Sequence, residues 1–138
     1  MKQKPDHYVL DDGSERWELD NKLHRDDGPA LIMPEGKSWY RHGVLHREGG
    51  PAVEMAHGTK KWFVNGEYHR EDGPALDTGN PETSRWYIHG RQLEPEEVAE
   101  RVAAIEAAQC RRESAKVERA MNVGLRKAIK TMKPLRFG

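Results

Sequence analysis

The chain has 138 residues, 36% of them hydrophobic and 33% charged, with a mean hydropathy of −0.96 and a formal net charge of zero. That is room for one small domain with an extension, but it is too polar for a thick globular core and suits a thin fold in which each unit buries a little against the next. No apolar run approaches the ~18 residues that span a bilayer, and the single cysteine, Cys110, excludes an intramolecular disulfide.

At the start of the chain, Met1 to Asp6 is followed by no apolar stretch, so no signal peptide is expected. A lone cysteine fits a reducing compartment, and a soluble, cytoplasmic protein is the expectation. Four tryptophans then set the frame. Trp17, Trp39, Trp62 and Trp86 are spaced 22, 23 and 24 residues apart. Four residues after each comes Asn21, Gly43, Gly66 or Gly90. His24-Arg25, His46-Arg47 and His69-Arg70 follow, and then Gly28-Pro29-Ala30, Gly50-Pro51-Ala52 and Gly73-Pro74-Ala75. A fixed period in the twenties signals a repeat architecture. The fourth unit keeps Trp86 to Gly90 and then decays into Arg91-Gln92-Leu93-Glu94, as a capping unit with no outer neighbour would.

Each unit reads as short strands. Leu31-Ile32-Met33 and Val53-Glu54-Met55 lead into Gly-bearing turns at Pro34-Glu35-Gly36 and Ala56-His57-Gly58. The tryptophan strands come next, over 37–41, 59–64 and 84–88. They close in two-residue turns at Asp20-Asn21, His42-Gly43, Asn65-Gly66 and His89-Gly90, the strongest short hairpin signal being Asn-Gly. The prolines of Gly-Pro-Ala lack an N–H and mark a strand edge or a corner. The expected fold is mainly β, a single-layer antiparallel β-hairpin meander over residues 1–93, followed by a long C-terminal α-helix.

The segment WYRHGVLHREGGPAVEMAHGTKKWFVNGEYHREDGPALD, residues 39–77, resembles variant MORN-type repeats, with their aromatic-x-x-Asn-Gly-x-x-His-Arg-x-Asp-Gly-Pro-Ala pattern. The resemblance covers roughly residues 8–93. It implies a curved single-layer sheet of stacked hairpins. Such repeats are frequent in bacteriophage, bacterial and large-virus proteins, which raises a counter-defence role, such as inhibition of a host nuclease or CRISPR effector (an anti-CRISPR). The resemblance implies no catalytic activity and no single ligand.

The helix is expected over residues 94–133, with 134–138 as a tail. Glu94-Pro95-Glu96-Glu97 opens it, proline and acidic side chains both suiting a first turn. Val98, Val102 and Ile105 form one apolar stripe. Cys110, Ser114, Val117, Met121, Leu125, Ala128 and Met132 form a second in a different phase, so a bend or a change of packing partner is expected near 107–110, with Gly124 as a candidate kink. Lys133-Pro134 ends the helix, and Phe137 in the tail is an anchor for a partner pocket or a frayed end. Residues 111–138 carry nine Lys/Arg and two Asp/Glu, a net of +7, which leaves −7 for residues 1–110. The basic face comprises Arg111, Arg112, Lys116, Arg119, Arg126, Lys127 and Lys130. It reads first as a solvated face and second as a surface for nucleic-acid phosphates or an acidic partner, including the chain's own acidic repeats.

The recurring residues read as architecture, because catalysis needs one site whereas a fold needs the same contact in every unit. His24, His46 and His69 are expected to hydrogen-bond turn backbone. Arg25, Arg47 and Arg70 are expected to pair with the acids just after them: Asp26/Asp27, Glu48 and Glu71/Asp72. A histidine ladder is also a conceivable zinc or copper column, but no cysteine pair or His-x-x-x-His supports it, and no metal or other cofactor is expected. The tryptophans are expected to form a packed spine. Tyr40, Phe63 and Tyr87, each directly after a tryptophan, should face the opposite way in a regular strand. With Tyr68 they form the candidate partner-binding face, or the site where the helix docks. No nucleophile elbow, phosphate loop or zincin helix is present, and no enzyme activity is expected. The expected function is a non-enzymatic protein-binding module. The alternative is nucleic-acid association through the basic helix, and the helix is expected to pack on the sheet or on a second copy of the chain.

Overall fold

A computed structural model describes residues 2–132. The Lys133-Pro134 helix end and the tail with Phe137 lie outside the described residues. The chain divides into two compact units between Val98 and Ala99.

In the first unit, β1 (Asp6–Val9) pairs antiparallel with β2 (Glu15–Leu19), and β2 with both β3 (Lys22–Leu23) and β4 (Leu31–Met33). β4 turns back into β5 (Gly36–Ser38), and β6 (Tyr40–Arg41) forms a separate hairpin with β7 (Val44–Leu45). β8 (Val53–Met55) pairs with β5 and with β9 (Lys60–Lys61), while β10 (Phe63–Val64) and β11 (Glu67–Tyr68) form the next separate hairpin. β12 (Leu76–Asp77) adds to β9, and β13 (Tyr87–Ile88) with β14 (Arg91–Gln92) completes the series. The result is an antiparallel hairpin repeat followed by one long helix, α1 (Pro95–Thr131).

The expected strands through Trp39 and Trp62 are interrupted at the tryptophan itself. The segment before it pairs within the eight-stranded sheet, and the segment after it belongs to a two-stranded hairpin. The reason lies in the backbone bonds. Trp39 N–H donates to the Ala52 carbonyl of the next unit, and the Trp39 carbonyl accepts from His46 of its own unit. Trp17 with Ala30 and His24, and Trp62 with Ala75 and His69, repeat the pattern. Trp39 and Trp62 are therefore corners where the chain leaves one ladder for another, whereas β2 runs unbroken through Trp17. The prolines sit opposite these corners, where a missing N–H costs nothing.

The turns follow from left-handed backbone at both central residues. His42 and Gly43 have φ of 48° and 81°, and Asn65 and Gly66 have 50° and 80°. Glycine takes the second position at no steric cost, which fixes the tight turn and with it the hairpin register.

The core is unusual in being built from small side chains. Ala30, Ala52 and Ala75 have no exposed surface, and among the described residues Leu93 is the one larger apolar residue that is also buried. The tryptophans are only half-buried. Each alanine carbonyl accepts the N–H of a tryptophan, and each side chain is fully enclosed, so a longer side chain would have to displace its neighbours.

The helix begins where the sequence signals place it. Pro95 occupies the first turn, where its missing N–H is no loss, and Glu97 accepts the Glu94 N–H at 2.9 Å while holding Arg91 by two bonds of 2.8 and 3.0 Å. It continues through residues 107–110 and through Gly124 as one uninterrupted helix. No residue of it is buried.

Candidate functional site

The geometry separates residues consumed by the architecture from residues left over. Each repeat histidine belongs to the first group. Nδ1 of His24 accepts the backbone N–H of His42, His46 that of Asn65, and His69 that of His89, each at 3.0 Å. The histidine therefore ties its unit to the turn of the next. An accepting Nδ1 places the ring proton on Nε2. That nitrogen points toward the acid two residues on, 3.6 Å from Asp26, 3.7 Å from Glu48 and 3.8 Å from Glu71. The last unit has no successor, so it has no turn N–H to satisfy. There Leu93 takes the histidine place, its N–H donating to the Trp86 carbonyl as His24 does to Trp17. The decay of the fourth repeat is thus a change from a polar link to an apolar cap.

The arginines are fixed by three kinds of contact. Arg25, Arg47 and Arg70 lie flat over Trp17, Trp39 and Trp62, with the guanidinium carbon 3.9, 3.9 and 3.8 Å from the ring centre. Each also donates to the proline carbonyl of its own Gly-Pro-Ala, at 3.3, 3.0 and 3.3 Å. Asp27 and Asp72 take the Arg25 and Arg70 Nε–H at 2.8 Å. The Arg25 bond, helped by its charge, holds the Asp27 carboxyl below the usual range. In the middle unit Gly49 stands where those aspartates stand. Arg47 accordingly reaches across to Glu54 at 3.2 Å rather than to Glu48. This corrects the expected Arg47–Glu48 pair: the first acid after each arginine faces the histidine, the second holds Arg25 and Arg70, and Glu54 holds Arg47.

The glycine of Gly-Pro-Ala is explained by the same stack. A Cβ there would lie 3.0, 2.8 and 2.5 Å from the guanidinium carbons of Arg25, Arg47 and Arg70. A side chain there would push the arginine from its place on the tryptophan, most in the third unit and least in the first.

What remains is an aromatic row and an acidic edge. Phe63 and Tyr68 face each other across their hairpin with ring centres 4.2 Å apart, and Tyr68 stacks on Tyr87 of the next unit at 5.0 Å. Tyr40 is paired with Leu45 in the preceding hairpin. All four rings are half-buried. Burial, and then the neighbouring Tyr87, push the Tyr68 phenol above its ordinary range. Tyr68 should therefore ionise late in an alkaline titration followed by phenolate absorbance, and Tyr68→Phe should remove that late component. Because its folded value is raised, Tyr68 favours the fold below the ordinary tyrosine value, and this contribution is lost as the pH rises through the folded one. A titration in which Tyr68→Phe removes an early component would contradict the packing described.

Along the loops, Asp26, Asp27, Glu48, Glu71 and Asp72 are exposed. They border open grooves between units, one of 580 Å³ lined by Arg47, Glu48, Trp62, His69, Arg70 and Glu71 among others. No cluster of three or more histidine, cysteine, aspartate or glutamate side chains placed to hold a metal occurs among the described residues. No described helix is long and apolar enough to cross a membrane.

On the helix, Arg111, Arg112, Lys116, Arg119, Arg126, Lys127 and Lys130 are all exposed. Cys110 is exposed as a free thiol.

Two features escaped the sequence reading. The arginine–tryptophan stack is one, although the two residues recur at a constant offset of eight, which is the signal for it. The other is the stacking of turn histidines on ladder histidines, His42 on His24 at 4.2 Å and His89 on His69 at 4.3 Å. No family model matches the chain, and neither a curated protein nor a solved structure does.

Proposed function

We propose that the repeat unit is a non-enzymatic protein-binding module acting in the cytoplasm, with the aromatic row of Tyr40, Phe63, Tyr68 and Tyr87 as its contact surface. One observation carries the reading. The recurring Trp, His, Arg and Gly are occupied by contacts within or between units, while Phe63, Tyr68 and Tyr87 are held by stacking on one another and they and Tyr40 stay half-exposed. Rigid aromatic side chains give large contact area at low entropic cost, and they dominate protein interfaces. The likeness to phage and bacterial repeats makes a host defence protein the partner class to test, with the chain as its inhibitor.

The test is capture of partners from bacterial lysate on the tagged full chain, with nuclease treatment and mass spectrometry. A stoichiometric protein that survives nuclease supports the module. Retention of nucleic acid, or of proteins that leave with it, favours the second reading. That reading is association with phosphates through the exposed basic residues of α1, and it predicts steep loss of binding with salt.

A further inference from the structure

The three histidine links hold on one condition. A ring nitrogen accepts a hydrogen bond only while it carries a lone pair. Nδ1 of His24, His46 and His69 each accepts the turn N–H of the next unit at 3.0 Å. A proton on that nitrogen makes it a second donor set against the first, so protonation and the link exclude one another. Residue type matters here. An amide oxygen would hold the same N–H at every pH between about 5 and 8, the range in which imidazole changes its charge.

The surroundings of each ring set its response. His46 is buried, and its Nε2 is enclosed with no hydrogen-bond partner among the described residues. Glu48 stands 3.7 Å from that nitrogen, beyond hydrogen-bond reach, and its carboxylate is largely exposed. Arg41 and His42, both basic, line the groove beside the ring, and the turn of the next unit brings the uncharged Asn65. A charged His46 ring therefore gains a screened attraction to one carboxylate and loses a bond in a buried place. His24 is buried too, with Asp26 3.6 Å from Nε2, Arg41 behind that carboxylate at 3.9 Å, and the His42 ring 4.2 Å away. His69 is half-buried, with Glu71 at 3.8 Å and the His89 ring at 4.3 Å. Arg47, Glu48, Arg70 and Asp72 share its groove. In these two outer links, acid charges two neighbouring imidazoles at once, and like charges that close repel.

We propose that the histidine links are an acid-sensitive release built into the repeat. Above the ordinary imidazole range, about pH 6.5, all three histidines accept and the units are tied. The opened form takes up a proton at Nδ1 that the linked form excludes. The linked form thus binds fewer protons, and its stability is lost as the pH falls through that range. Each turn then gives up its tie to the histidine of the unit before it. The device does not rest on what the repeats bind.

Denaturant unfolding of the full chain at about pH 8 and about pH 5, on the wild type and on His46→Asn, tests it. The asparagine oxygen can accept the Asn65 N–H and does not titrate in this range. On acidification the wild type should lose about thirtyfold more of its folded-to-unfolded ratio than His46→Asn, the factor for one imidazole that protonates only when its link is open. Other titrating groups, His7 beside Glu15 among them, act on both proteins and cancel. Nitrogen-resolved NMR of the wild type gives a second reading that needs no variant to fold. On the alkaline side His46 should carry its proton on Nε2, with the Asn65 amide protected from exchange. On the acid side, protonation of His46 should coincide with loss of that protection. An equal or greater acid loss in His46→Asn would overturn the proposal, and so would an Asn65 amide that stays protected once the His46 ring is protonated.

Discussion

Replacing Gly73 by alanine should destabilise the repeat unit by about 2–3 kcal/mol, with Gly50→Ala costing less and Gly28→Ala least. The order follows the space available: a Cβ would stand 2.5, 2.8 and 3.0 Å from the arginine guanidinium carbon in the three units. A flexible side chain would ordinarily move aside at little cost. Here the guanidinium already lies on a tryptophan ring and donates to a proline carbonyl. Displacing it forfeits a cation–π contact of about 0.5–2 kcal/mol and a charged hydrogen bond of about 1.5–3 kcal/mol. Tryptophan fluorescence should change with the loss, because the arginine no longer covers the ring. Equal effects at all three glycines in denaturant melts, or none, would show that the stack is not what requires glycine.

Replacing His46 by alanine should cost about 1–3 kcal/mol, the usual cost of leaving a donor unpaired in a partly buried place. The donor is the Asn65 N–H, in the turn of the following unit. Solvent exposure of that turn limits the effect at the exposed His69–His89 link, so His46→Ala should exceed His69→Ala. Amide exchange at Asn65 should accelerate together with the loss of stability. Chemical denaturation reads the first and exchange the second. A stable His46→Ala with a protected Asn65 amide would mean that the histidine is not the link between units.

Much of the repeat was legible in the sequence. The period, the hairpin turns and the corner at Gly-Pro-Ala follow from backbone chemistry that a few residue types impose: positive φ at Asn65-Gly66, and a missing N–H at Pro51. The capping unit was also legible, although the meaning of Leu93 needed the hydrogen bond it makes in the histidine place. What the spacing could not convey was the identity of contact partners. His and Arg beside an acid suggest an ion pair. Whether Arg47 turns to Glu48, to Glu54 or to Trp39 depends on where the strands cross, and that depends on the breaks at Trp39 and Trp62. The aromatic row was found by its place after the tryptophans, but its stacking through Tyr68 depends on the register of the Phe63–Tyr68 hairpin. Exposed charge is the least informative of all. The same basic face on α1 serves solvent, phosphate or an acidic protein, and sequence spacing does not choose among them.

The measurement that bears most directly on the protein-binding account is paired capture with two variants of the full chain, each checked for folding by its melting curve. Tyr40 pairs with Leu45 in its hairpin register, and its side chain is half-exposed. Tyr40→Ser should retain the fold and lose the captured protein about tenfold or more. The triple change Arg112→Gln, Arg119→Gln and Arg126→Gln should leave capture unchanged. The reverse result, capture lost with the three arginines and kept with Tyr40→Ser, would contradict the account and assign binding to the helix.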